Sequence, residues 1–173
     1  MTRSRRPWFV GAWRRRSIVV PGGQPTEPCE AWWIQAEDAF VDVRVALRGM
    51  ERNGLPYSST RAFAGRFEIA GGEVRWHVEL DSDGAVPRTD RAAAAGLFIA
   101  PDEPLLMIED APGRFREEWL QHAPLGEVEW VRTADVVTVR VGEITGTVFC
   151  VDGVVSGRVW NGERSISVGA TLG

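Results

Sequence analysis

The residues of this 173-residue chain whose types and spacing could do chemistry fall in three short stretches. Trp33, Gln35, Phe40, Asp42 and Arg44 lie in residues 33–44, His77, Glu79 and Asp81 in 76–81, and Phe115, Glu117 and Trp119 in 115–119. Side chains two apart share one face of a strand, so each set can present a single wall. Aromatic rings beside amide, carboxylate and guanidinium groups suit a small-molecule pocket, with apolar surface for affinity and a few polar groups for orientation. The chemistry such a wall supports is narrow. His77 is the neutral-pH proton carrier on these faces, with Glu79 or Asp42 to orient it or to act as base. Arg44 matches a carboxylate, phenolate or enolate oxygen, and Gln35 donates a hydrogen bond. Phe115, Glu117 and Trp119 complete the expected lining.

Other chemistries lack their residues. No Ser-His-Asp order, G-x-S-x-G, nucleotide loop or metal-spaced His/Cys cluster occurs, so covalent serine hydrolysis, phosphoryl transfer and a zinc site are unsupported. Cofactor-independent acid–base work remains: isomerisation, cyclisation, dehydration or water addition. A non-catalytic binder or carrier could use the same wall. Cofactors and metals are expected to be absent.

Composition is that of a soluble globular domain with net charge −4. Every basic residue is arginine. Six of them stand in the first sixteen residues, and no apolar segment follows that would make a signal peptide. Residues 1–7 therefore read as a solvated basic arm, and 8–173 as one β-barrel domain. The acidic body disfavours nucleic acid, and no apolar run reaches the ~20 residues that span a bilayer. Cys29 and Cys150 read as reduced thiols of a cytoplasmic protein.

The elements that must position the candidates are strands. Gly71-Gly72 separates two alternating runs and predicts a tight hairpin, pairing Ile69 with Val74, Phe67 with Trp76, Arg66 with His77 and Phe63 with Leu80. Residues 31–48 predict a second hairpin around Glu37-Asp38, with Trp33 opposite Asp42 and Gln35 opposite Phe40. Glu-Asp is poor primed-turn chemistry, so a somewhat longer loop is expected there. Residues 49–60 read as a loop with its tip at Asn53-Gly54, and 82–91 as a polar loop. Strands are expected near 8–20, 97–100, 105–110, 115–119, 128–133, 136–141, 144–151, 154–160 and 166–172. About ten strands and hardly any helix mean an antiparallel barrel or sandwich, and a barrel leaves no exposed edge.

The motifs W-I-Q and F-V-D-V-R (33–44), F-A-G (63–65), W-H-x-E-x-D (76–81) and F-x-E-x-W (115–119) resemble the Hri1-like family of calycin-type barrels. Gly11-x-Trp13 on the first strand likewise resembles lipocalin-type barrels, where the Trp meets an arginine from a late strand; Arg158 or Arg164 is placed for that part. The resemblance covers roughly residues 8–120. It implies a calycin, lipocalin-like barrel and no activity. Phe115 stands where the family has tyrosine, and Glu79 where glutamine is common.

The same faces admit an outward reading, with polar residues in solvent and aliphatic ones inside. Arg66, Glu68 and Arg75 fit it, and His77 fits either. Trp33 and Phe40 do not, because it would bare two large rings beside charges. With the mixed face inward, the aliphatic reverse (Trp32, Ile34, Val41, Val43, Val45, Leu47) needs a cover, either the chain's last strands or a second copy in a homodimer. The ligand expected is a small polar or anionic aromatic molecule, such as a planar, oxygenated intermediate of bacterial secondary metabolism.

Overall fold

The computed structural model describes residues 7–50, 59–84, 86–122 and 126–169. The protein is all-β and barrel-like. A nine-stranded antiparallel sheet comprises β1 (Gly11–Val19), β2 (Cys29–Gln35), β3 (Ala39–Ala46), β4 (Arg61–Ala70), β5 (Glu73–Asp81), β6 (Arg88–Ala93), β7 (Leu97–Ile99), β8 (Leu106–Ala111) and β9 (Phe115–Gln121), in the order β6-β5-β4-β3-β2-β1-β9-β8-β7. Its two edge strands are consecutive in the chain and joined by the 3-10 turn Ala94–Gly96, where Ala94 N–H bonds Gly72 O at 2.8 Å. The sheet thus curls almost shut. Strands β10 (Val128–Arg132), β11 (Val136–Val141), β12 (Ile144–Val151), β13 (Val154–Trp160) and β14 (Ser165–Val168) form a second, five-stranded antiparallel meander. Among the described residues fourteen strands replace the ten or so expected. The polar run at 88–93 is a strand because it caps one sheet edge, where no apolar face is required. The loop tip Asn53-Gly54, most of the basic arm and the last residues of the expected final strand lie outside the described residues.

Both predicted hairpins form. Gly71 and Gly72 adopt φ of 60° and 78°, the left-handed pair that a type I′ turn demands. Around it Ile69 pairs with Val74, Phe67 with Trp76 and Arg66 with His77. Beyond Gly65 the register slips: Gly65 pairs with Val78, Ala64 with Leu80 and Phe63 with Asp81 rather than Leu80. A Cβ on Gly65 would stand 2.0 Å from His77 O, so only glycine admits the bulge. In the second hairpin Trp33 faces Asp42 and Gln35 faces Phe40. Its turn is tight, not long: Ala36 N–H bonds Ala39 O at 2.8 Å across Glu37-Asp38. Buried Gln35 Nε2 ties the turn by donating to Ala36 O and Ala39 O, and Phe67 N–H donates to Asp38 O. Those bonds replace what favourable turn chemistry would have supplied.

Alternation gives the large sheet two unlike faces. The outer one, with Trp32, Ile34, Val41, Val43, Ala62 and Ala64, packs against Val137, Val139, Val148, Val159 and Ile166 of the second sheet. The chain's own last strands therefore cover the aliphatic strip except at Leu47, which stays exposed. Gly146 and Gly157 allow the close approach, since a Cβ on Gly157 would lie 2.4 Å from Ala62 Cβ and one on Gly146 2.7 Å from Ile34 Cδ1. Ion pairs Arg132–Glu79 and Arg164–Glu30 tie the rims of the two sheets. Arg164 is thereby engaged away from Trp13, and Arg158 is exposed. Trp13 is buried and donates instead to Phe9 O at 3.0 Å. The inner face carries Trp13, Trp33, Phe40, Phe67, Val74, Val78, Met107 and Trp119. Among the described residues no helix is long and apolar enough to cross a membrane.

Candidate functional site

The inner face encloses a cavity of about 560 Å³, within the range of small-molecule sites. Strand alternation delivers its walls. Trp33 comes from β2, Phe40, Asp42 and Arg44 from β3, Phe63 from β4, Trp76 from β5, Glu109 from β8, and Phe115, Glu117 and Trp119 from β9. Trp33 meets Trp119 edge-on at 5.8 Å and Trp76 at 6.1 Å between centroids. These contacts fix the apolar wall.

The polar floor is an ion cluster. Asp42 grips Arg44 with both oxygens, at 2.8 Å to Nε and 2.9 Å to a terminal nitrogen. The remaining Arg44 nitrogen lies 3.5 Å from Glu117 Oε1, which also accepts from Arg15 at 2.5 Å. Arg15 is held on its other side by Glu27 through two bonds of 2.9 Å. Burial works against the charge on Arg44, but Asp42 and Glu117 outweigh it and raise its pKa further. Arg15 is held the same way, chiefly by Glu117. Buried ions demand such saturation, for an unpaired one would cost several kcal/mol. Both guanidinium groups also lie within 6 Å of the Trp119 ring centroid, Arg15 at 5.9 Å and Arg44 at 5.8 Å.

Glu109 is the exception in this cluster. It stands directly opposite Glu117 across β8 and β9, and its carboxylate forms no hydrogen bond or ion pair among the described residues. Burial first, and then the Glu117 charge, push its pKa up to about 8. At neutral pH this carboxyl is mostly protonated, and part of it faces the cavity.

The mouth is built around Asp81, which Arg61 and Arg88 both engage and whose Oδ1 accepts Asp83 N–H at 2.9 Å. Burial alone would raise the Asp81 pKa; Arg61, that backbone N–H and Arg88 outweigh it and hold the carboxyl below its ordinary range. Arg44, Arg61 and Arg88 all stack on Phe63, at 5.6, 5.1 and 5.6 Å from its centroid.

Of the residues singled out in the sequence, Trp33, Phe40, Asp42, Arg44, Phe115, Glu117 and Trp119 meet at this cavity. Gln35 does not line it. Fully buried, Gln35 accepts Trp33 Nε1–H at 2.9 Å and so positions that ring. His77 follows lumenal Trp76 on the strand and turns to the opposite side, with Glu68 at 3.2 Å and Thr89 at 3.1 Å from its ring nitrogens. Glu79 sits in the bulge and pairs outward with Arg66 and Arg132. The one-residue slip at Gly65 separates these two from Asp81, which does turn inward.

Glu109, Arg15 and the two arginines of the mouth, Arg61 and Arg88, were missed in the sequence, whereas Asp81 between them was singled out. For Glu109 a signal existed: counting back from the Pro112-Gly113 turn pairs Ala111 with Phe115 and Glu109 with Glu117. No protein-family model, curated protein or solved structure matches the chain.

Proposed function

We propose that this chain is a calycin-like barrel, akin to the Hri1-like family whose motifs it resembles, that binds a small, planar, oxygenated molecule in its lumen. The observation that carries this reading is the pairing of a tryptophan-lined wall, Trp33, Trp76 and Trp119, with the Asp42–Arg44–Glu117 floor in one cavity. Rings stack on the ligand body while polar groups orient its oxygens. A panel of planar aromatic carbonyl and hydroxyl compounds, followed by tryptophan fluorescence and calorimetry, tests it. Binding should weaken at least tenfold in Trp76→Ala, which removes a partly buried wall. Equal affinity in wild type and Trp76→Ala would place the ligand elsewhere.

Cofactor-independent acid–base catalysis is the second reading, as an isomerase, cyclase, dehydratase or hydratase of secondary metabolism. It is favoured by one observation, the facing carboxyls of Glu109 and Glu117 inside the cavity. His77 and Glu79 have no part in it, since they lie outside the lumen. Glu109→Gln should cost a catalyst roughly 10²–10⁴-fold in turnover. A carrier would lose only a modest factor in affinity.

A further inference from the structure

Three carboxyls reach the inner end of the cavity, Asp42 from β3, Glu109 from β8 and Glu117 from β9. The guanidinium groups facing them are Arg44 from β3 and Arg15 from β1. Asp42 takes two nitrogens of Arg44, Glu117 takes one from each arginine, and Glu27 takes two of Arg15. Nothing in that set hydrogen-bonds Glu109. Two carboxyls opposed on neighbouring strands sit ~5 Å apart at Cβ, too close for both to ionise cheaply in a desolvated site. Trp119, in the wall of the same cavity and fully buried, has an indole N–H without any partner among the described residues. That N–H is sealed behind the wall and unavailable to a ligand, so the donor the cavity itself can offer is the protonated carboxyl. A cationic ligand, by contrast, would face Arg44, Arg61 and Arg88, which already crowd the Phe63 ring.

Resting on the binding reading above, we propose that Glu109 is the hydrogen-bond donor of the cavity, its neutral carboxyl receiving the carbonyl oxygen of an aromatic ketone or aldehyde. Glu117 is a positioning residue for it: occupied by Arg15 and Arg44, it keeps the proton on the opposite carboxyl. Acceptor-bearing, uncharged ligands are thereby selected over carboxylates, whose charge would fall beside those of Asp42 and Glu117, and over amines, which would bring a donor to a donor.

The test has two arms on the intact protein. In the first, ¹³C-glutamate-labelled protein is titrated by NMR. One carboxyl should titrate well above the others, vanish in Glu109→Gln and move down in Glu117→Gln or, should that variant unfold, in Asp42→Asn. A Glu109 midpoint among the ordinary glutamates overturns the donor assignment whatever binds. In the second, 2-acetylnaphthalene, 2-naphthoate and 2-naphthylmethylammonium are compared by calorimetry across the same pH range. The ketone should bind best and weaken as Glu109 ionises. Glu109→Gln should bind it without pH dependence, and Glu109→Ala should bind it roughly five- to tenfold more weakly. Preference for the ammonium, tightening with pH, makes Glu109 a carboxylate partner and sinks the proposal. If no probe binds while Glu109 still titrates high, the cavity reading fails and the proposed ligand fails with it.

Discussion

Glu109 and Glu117 face each other across β8 and β9, both in the wall of the lumen, and only Glu117 has arginine partners among the described residues. The asymmetry has a consequence for stability. Because the folded-state pKa of Glu109 is raised, the unfolded chain releases this proton first as pH rises. Between the ordinary glutamate range and about 8 the native state holds a proton that the unfolded state has lost, so this group makes stability fall as pH rises across that window. Glu109→Gln should remove the fall. Urea midpoints of both proteins, measured from about pH 5 to about pH 8, should diverge with the variant gaining. Parallel curves would mean that Glu109 titrates normally.

Much of this arrangement was legible in the chain. Strict alternation around Gly71-Gly72 and Glu37-Asp38 set the strand registers, and those registers put Trp33, Asp42 and Arg44 on one face. The illegible part has identifiable physical causes. A single extra residue at the Gly65 bulge reverses the facing between His77 and Asp81, and its one mark in F-A-G is the lone glycine inside the strand. Strand β6 looked like a loop because an edge strand at a cavity mouth carries Arg88, Asp90 and Arg91 rather than an apolar stripe. Glu109 follows four apolar residues, so its role emerges only when β8 is paired with β9. The last third showed no motif because its inward valines do nothing but cover the aliphatic face.

Removing Glu117 should be the costliest change in the site. Its carboxylate is shared by two buried guanidinium groups, and Glu117→Ala leaves both short of compensation. A loss of about 3–5 kcal/mol is expected from chemical denaturation. Glu117→Asp, which keeps the charge, should recover part of it. A loss no larger than that of an exposed pair such as Arg140–Glu129 would show that solvent already screens the cluster.

Asp81 should govern the acid limb of stability. Its folded-state pKa is lowered, so its contribution is present above the ordinary aspartate range and disappears as pH falls through the folded value. Asp81→Asn should cost about 2 kcal/mol at neutral pH, as charge-assisted bonds to Arg61 and Arg88 become ordinary ones. The difference between the two proteins should shrink on acidification. A constant difference would assign Asp81 a packing role alone.

The contact between the sheets should be separable from the cavity. Gly157 is not in the left-handed region, so a side chain there meets only a steric obstacle, with Ala62 Cβ at 2.4 Å and Val43 Cγ2 at 3.3 Å. Gly157→Ala should therefore destabilise by about 1–3 kcal/mol through overpacking. Moving the methyl, rather than adding one, is the sharper experiment. In the double variant Gly157→Ala with Ala62→Gly the total volume is conserved, and the methyl returns to the same inter-sheet layer from the opposite side. Ala62→Gly alone costs strand propensity and a buried methyl, so both single variants should be less stable than wild type. The pair should recover part of the summed loss, with a coupling of about 0.5–3 kcal/mol in a double-mutant cycle. Ala62 points away from the lumen, so ligand affinity should stay level in every variant that remains folded. Strict additivity would mean that the sheets can part at this point, and a change in affinity would mean that the second sheet shapes the cavity through β3 and β4.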